Sequence, residues 1–284
     1  MRIEPSGGIL GARIWDCDLR RPLDDAAVRA IRDALGAYAV LCFPQQALSP
    51  AELAAFGGRF GELEINVAST NFQVPDHPPV MILSNLVEDG RPIGLADAGQ
   101  GWHTDMSYSR QIALATVLHA KRVPVRDGRT LGNTEFRDMR AAYDDLDPAV
   151  QAEIEGKTAI HDFAKFWDMM RARPGSRRAA LTAAQQARKP PVAQPLVRRH
   201  PISGRRVLYC NPGYAMQVEG MGRAESDALL DLLFRHQQQD RYLWAHRWTE
   251  GDVLMWDDIA TTHNAVADYA PDEPRLMYRV QVMA

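Results

Sequence analysis

Apolar positions along this chain recur in two alternating patterns, one with the period of a helix and one with that of a strand. Val28, Ile31 and Leu35 fall on one face of a helix predicted over 26–36, with Asp24 and Asp25 at its start. The unbroken apolar run Ala39-Val40-Leu41-Cys42-Phe43 predicts a buried strand. Ser49-Pro50-Ala51-Glu52 has the form of a capping box with Pro at the first helical position, and Leu53, Phe56 and Phe60 follow on one face. Strands are predicted over 79–83 and 114–119, and Asp127-Gly128 and Gly132-Asn133 mark turns flanking another that starts at Thr134. Asp147-Pro148 opens a helix that Gly156 would end. A further helix over 224–238 is followed by short strands over 242–248 and 253–256, and 207–210 reads as a strand before it.

The last ten residues alternate. Arg275, Met277, Arg279 and Gln281 lie on one face of a predicted strand, and Leu276, Tyr278, Val280 and Val282 on the other. The two arginines would stand about 13 Å apart along it. If their face looks into the protein they need anionic partners, because an unpaired buried charge is too costly; on an exposed edge strand they would merely be solvated. The pattern as a whole predicts a mixed, mainly β fold: a double-stranded β-helix (jelly-roll) barrel with flanking helices. No linker or repeat divides the chain, so residues 1–284 are expected to form a single domain, with 157–200 as a lid or long insert. Within that insert, the stretch from Arg171 to Arg199 carries eight positive charges and no acid. A solvated loop with a short Ala-rich helix would explain it, and so would a lid that attracts an anion.

With 46% hydrophobic and 24% charged residues in 284, the composition is that of an ordinary globular protein. A formal net charge of −3 gives no reason to expect nucleic acid or a membrane surface as partner; a small molecule is expected, and self-association is left open. No apolar run reaches transmembrane length and the first residues lack a signal-peptide core, so a cytoplasmic location is expected. Cys17, Cys42 and Cys210 make neither a disulfide framework nor a zinc pattern and are expected to be buried free thiols.

The candidate chemistry lies in Gln100-Gly101-Trp102-His103-Thr104-Asp105 and in His263. On a strand, His103 and Asp105 would point to one side. Joined by His263, they would form two histidines and one carboxylate on one face of a metal, the arrangement of non-haem Fe(II) oxygenases. A lone His-x-Asp has no weight by itself; the order of the other motifs supplies it. Trp102 and Trp256 flank these residues and are expected to pack in the core. His161, with Lys165 four residues on, is a weaker pocket candidate.

Four motifs together make the chain resemble the taurine dioxygenase / dichlorophenoxyacetate dioxygenase family of Fe(II)- and 2-oxoglutarate-dependent oxygenases. They are Trp102-His103-Thr104-Asp105, the segment Thr134 to Tyr143, Trp256-Asp257-Asp258 leading to His263, and Arg275-x-x-x-Arg279. The resemblance implies that His103, Asp105 and His263 bind iron and carry catalysis. It implies that Thr134 and Arg275 hold the distal carboxylate of 2-oxoglutarate, and that Arg279 faces the co-substrate or a substrate anion. Molecular oxygen would be the remaining co-substrate, with succinate and carbon dioxide released as a substrate C–H bond is oxidised. A carboxylate or sulfonate substrate is expected, with Arg279, Asn66, His161 and Lys165 as candidate contacts. The chain has Asp258-Ile259 where many relatives have Asn-Arg, and Gly99 where the taurine branch has Asn, which argues against taurine; the segment from Thr134 to Gly156 and the stretch from Pro195 to Arg205 look more like the phenoxyacetate branch. Two alternatives to an oxygenase stand beside this reading. One is a cupin-like isomerase or hydrolase that uses the same ligands without a keto acid, and the other is a non-catalytic relative.

Overall fold

A computed structural model describes residues 1–65, 70–173, 176 and 178–284; Asn66, a candidate substrate contact, lies outside them. The chain is mainly β with helices packed outside, as the pattern predicts. Eight strands form one sheet in the spatial order Arg2–Pro5, Ala12–Trp15, Val40–Phe43, Val253–Asp257, Ala113–Arg122, Leu276–Met283, His77–Ser84 and Gln73–Val74. A second sheet of three strands has Thr134–Asp138 at its centre, between Leu243–His246 and Thr261–Ala265.

The large sheet is covered on both faces, and alternate residues of its inner strands go to different layers. Val117, Met255 and Val280 join Ile31, Leu35, Leu53 and Phe56 of the two amino-terminal helices. Leu118, Leu254, Trp256 and Met277 face the opposite way, into a layer with Phe136 and Trp248 of the smaller sheet and its continuation. Double coverage explains why Val253–Asp257 is buried at every position and why its first four residues read as a continuous apolar run. It also settles the position of the terminal strand. Leu276–Met283 is an interior strand flanked by Ala113–Arg122 and His77–Ser84, not an exposed edge.

Local signals place the helices well. Asp25–Tyr38 starts at Asp24, whose side chain accepts from the Ala27 N–H, and Pro50–Gly57 starts with both bonds of the Ser49/Glu52 capping box. Pro148–Ile154 is capped by Asp147, and Arg223–Gln237 is within one residue of its expected span. Residues 157–200 are more than an appended loop. Thr158–His161 pairs with Val192–Pro195 on one side and with Ala215–Val218 on the other, building a third sheet. Among the described residues no helix is long and apolar enough to cross a membrane. Cys42 and Cys210 are buried free thiols, and Cys17 is half-buried.

Candidate metal centre and adjoining pocket

His263 reaches the site through a turn between the two sheets. The Asp257 carboxylate accepts the N–H groups of Ile259 (2.9 Å) and Ala260 (2.8 Å), and Thr261 Oγ1 donates to the Asp257 carbonyl. The other Asp257 oxygen is 2.6 Å from His200 Nε2. This fixed turn carries the chain from Val253–Asp257 of the large sheet into Thr261–Ala265 of the small one, where His263 lies opposite Phe136.

His103 does not sit in a regular strand, as the sequence reading supposed. It forms a single bridge with His263, and Asp105 follows in a turn in which Met106 has a φ of 56°. The loop is held along its length instead. Ala265 N–H donates to Gly99, Gly101 N–H donates to the Asn264 side chain, and Thr104 Oγ1 donates to the Thr261 carbonyl. His103 and Asp105 still converge, because the turn brings the carboxylate back under the imidazole. Gly213 makes the close approach possible: a Cβ there would sit 2.9 Å from His103 Cβ and 3.1 Å from the Phe166 ring.

One ligand atom from each of His103, Asp105 and His263 lies within 4.8 Å of the others, and all three residues are buried. His103 Nδ1 is 2.7 Å from the Gly101 carbonyl, to which it donates, and its Nε2 faces Asp105 Oδ1 at 3.4 Å. Burial and the neighbouring His103 push His263 down to about 3, keeping it neutral, and its Nδ1 has no partner. Burial would raise the Asp105 carboxyl, but the His103 contact and the charge of Arg279 outweigh it and hold it well below the usual carboxylate range. Two imidazoles, that of His263 neutral, and an ionised carboxylate make a donor set that fits a divalent metal ion. Asp258 behaves oppositely: burial, then the charge of Asp105, raises its carboxyl well above the usual range. A second buried cluster, Cys42, His246 and Asp252, satisfies itself. His246 Nε2 is 3.1 Å from Asp252, and burial pushes the Cys42 thiol up, so it stays protonated.

Arg279 is paired with neither Asp257 nor Asp258, the internal acids next to Trp256. Its Nη1 lies 3.9 Å from Asp105 Oδ2, its Nη2 contacts Met81 Sδ, and its Nε is unpartnered. Arg275, immediately before the same strand, is buried with an unpartnered Nε and no acid partner among the described residues. Burial lowers its affinity for a proton, which the Tyr269 phenol offsets in part. Gly132, with a φ of +71°, keeps that space open, since a Cβ there would meet Arg275 Nε at 3.3 Å and the Tyr269 ring at 3.2 Å. Thr134 Oγ1 accepts from Trp248 Nε1 at 3.0 Å, which leaves its own O–H free to donate. An uncompensated buried guanidinium and a free hydroxyl donor fit a carboxylate ligand.

A pocket opens beside His103, Asp105 and Arg279. Phe163, Phe166 and Trp167 line it from one face of the helix Phe163–Arg171, opposite Tyr108 and Tyr214. Phe166 packs 4.8 Å from the His103 ring, and Tyr108 and Tyr214 are 4.7 Å apart. Arg178 and Lys189 also reach it. Arg178 grips Asp97 with two bonds of 2.7 and 2.8 Å and lies over Trp167; Lys189 lies over Tyr108, 3.5 Å from Glu64. The arginine-rich insert is therefore not simply a solvated loop. His161 and Lys165 do not line this pocket, which corrects the sequence reading. His161 is buried against Tyr209, and Lys165 donates to the Ala215 carbonyl and lies near Phe234. Of the tryptophans, Trp256 is in the core beside His263, whereas Trp102 is half-buried under the Arg137 guanidinium. Sequence reasoning missed the aromatic wall and the inward cations. The i, i+3, i+4 spacing of Phe163, Phe166 and Trp167 and the acid-free charge run were the available signals.

The family described as "Taurine catabolism dioxygenase TauD, TfdA family" matches residues 2–281. The chain is 35% identical over 272 residues to the alpha-ketoglutarate-dependent 2,4-dichlorophenoxyacetate dioxygenase of Cupriavidus pinatubonensis, covering 91% of this chain and 90% of that one. It is 32% identical over 287 residues to the pentalenolactone F synthase of Streptomyces arenae, covering 99% and 94%. The crystal structure of AAD-2 in complex with Mn(II) and N-oxalylglycine superposes with a TM-score of 0.81 at 30% identity, covering all of this chain and 97% of that one.

Proposed function

This chain belongs to the taurine catabolism dioxygenase TauD, TfdA family and is a 2-oxoglutarate-dependent non-haem iron dioxygenase that uses Fe(II), 2-oxoglutarate and molecular oxygen; from that premise we propose that it oxidises a C–H bond of a small organic anion with an apolar body, releasing succinate and carbon dioxide. One observation supports the substrate class above the rest: aromatic side chains and the Arg279 guanidinium, whose Nε is unpartnered, line a single pocket at the metal-ligand cluster. The relative that acts on 2,4-dichlorophenoxyacetate has a substrate of that description in its name.

His103, Asp105 and His263 are the metal ligands in this reading, all contributed from one side so that the opposite positions stay open. Bound iron would let molecular oxygen act as the oxidant, with oxidative loss of carbon dioxide from the keto acid giving one electron pair and the substrate C–H bond giving the other. The protein's own residues bind, orient and exclude water. Arg275 and the Thr134 hydroxyl hold the distal carboxylate of 2-oxoglutarate, an anion that compensates the buried guanidinium. Arg279, beside Asp105, takes an oxygen of the co-substrate or the acid group of the substrate. Phe163, Phe166 and Trp167 cover the apolar body and keep water from the cluster. Residues 157–200 serve as the lid that carries this wall, within a single domain spanning 1–284, and the two facing sheets are read as the halves of a jelly roll.

Succinate release, measured against a panel of aryl and alkyl carboxylates and sulfonates with matched amines and esters, tests the proposal. An anion with an apolar ring or chain should stimulate it most. A neutral amine or ester turning over better than every anion would overturn the substrate class.

A further inference from the structure

One hydroxyl group, that of Thr116, stands between two buried carboxyl groups. Its Oγ1 is 3.0 Å from Oδ2 of Asp105 and 2.7 Å from Oδ2 of Asp258. Thr116 and Asp258 are fully enclosed, and Asp105 is buried apart from its edge on the pocket. Thr116 belongs to the central strand Ala113–Arg122, with Trp256 opposite it on one side and Gln281 on the other, which leaves it little freedom to choose other partners.

Counting hydrogens decides what this arrangement must be. A threonine hydroxyl carries one hydrogen and can donate to one oxygen only. The second short contact is a hydrogen bond only if one of the two carboxyl groups supplies the hydrogen. Asp105 has the Arg279 guanidinium 3.9 Å from its Oδ2, a partner suited to an anion. Asp258 has no cationic partner among the described residues; its other oxygen accepts from Trp256 Nε1 at 2.9 Å. An isolated buried carboxylate is too costly, so the hydrogen belongs on Asp258.

We propose that Asp258 is a neutral carboxylic acid acting through Thr116 as a positioning residue for Asp105. Asp258 donates to Thr116 Oγ1, Thr116 donates to Asp105 Oδ2, and the Oδ1 atom on the His103 side is left to bind the metal. A single-oxygen ligand held in this way keeps the remaining metal positions free for the keto acid and oxygen. The inference rests on reading Asp105 as a metal ligand and adds two residues that act on it from behind.

Binding of Co(II) to the metal-free protein, followed by titration and by visible absorption of the bound ion, tests it without recourse to turnover. Thr116→Val and Asp258→Ala should weaken Co(II) binding about tenfold to a hundredfold and change the absorption. Thr116→Ser keeps the hydroxyl, and Asp258→Asn keeps a donor towards Thr116 and an acceptor for Trp256, so both should stay near the wild-type affinity and spectrum. If Asp258→Asn is as weak as Asp258→Ala, a neutral donor is not what Asp258 provides and the proposal falls. Unchanged binding in Thr116→Val and Asp258→Ala overturns it as well. Should Asp258→Ala not fold, the Thr116→Val and Thr116→Ser pair decides alone. A wild-type protein that binds no Co(II) would refute the metal-ligand reading, and this inference with it. Wild-type binding that is lost in His263→Ala but indifferent to Thr116 and Asp258 would refute only the positioning role.

Discussion

His103 and His263 exchange both of their backbone hydrogen bonds, N–H of His103 to the His263 carbonyl at 3.1 Å and N–H of His263 to the His103 carbonyl at 2.8 Å. Directly opposed residues of an antiparallel pair send their side chains to the same side, and here the ring centroids are 4.2 Å apart. The main chain therefore presets the spacing of the two imidazoles proposed as metal ligands. Little side-chain entropy remains to be lost when a metal ion binds.

That pairing makes His263→Ala a clean test of the centre. The backbone bridge does not need the side chain, so the variant should fold and give a wild-type circular dichroism spectrum. Fe(II) affinity should fall steeply and substrate-dependent succinate formation should cease. A folded variant with near-wild-type metal affinity and turnover would remove His263 from the ligand set.

Arg275→Ala should raise the 2-oxoglutarate concentration needed for half-maximal rate by about one to two decades, because a charge-assisted contact contributes about 1.5–3 kcal/mol. Metal affinity should barely change. Arg279→Gln should weaken substrate binding more than co-substrate binding. Equal losses for both ligands would place Arg279 on the keto acid instead, and an Arg275 variant with unaltered 2-oxoglutarate dependence would show that the co-substrate pocket lies elsewhere.

Gly213→Ala introduces a methyl group where 2.9 Å separates it from His103 Cβ and 3.1 Å from Phe166. Such overpacking costs about 1–3 kcal/mol. The strain falls on His103, a proposed metal ligand, so Co(II) affinity should drop by a larger factor than thermal stability implies. Metal affinity that is wild-type in a stable variant would mean that the loop yields without moving His103.

His161 is buried with both ring nitrogens unpartnered, and burial, then the charges of Lys165 and Arg198, pushes it down to about 3. In the unfolded chain a histidine titrates near about 6.5. Above that pH neither state is protonated and the folded state loses nothing. As pH falls from about 6.5 towards about 3, only the unfolded chain takes up the proton, and stability falls by up to about 1.4 kcal/mol per pH unit. His119, pushed down to about 4 chiefly by burial, adds a parallel loss over a narrower window. His161→Phe should therefore flatten the decline in urea stability between pH 6 and about 4 while leaving stability near pH 7.5 little changed. A decline as steep as wild type would mean that another group sets the acid limb.

What the sequence determined by itself is what short-range physics fixes. The Ser49/Glu52 capping box and the Asp24 and Asp147 caps placed three helix starts, because a cap and the amides it satisfies lie within three residues of each other. The alternation from Arg275 to Val282 identifies the last strand, and the spaced motifs single out His103, Asp105 and His263, whose ligand atoms the fold gathers within 4.8 Å of one another. Tertiary structure decided the partners. No local pattern says that His103 leaves the strand after one bridge and that a turn returns Asp105 to it. None says that Arg178 and Lys189 turn inward from a charged insert to Asp97 and Glu64, while Arg171 beside them stays exposed. Nor does the pair Asp257-Asp258 reveal that one carboxylate braces a turn with His200 while the other shares the Thr116 hydroxyl with Asp105. Caps and periods depend on neighbours along the chain, whereas the burial and pairing of a charge depend on which distant strand arrives beside it.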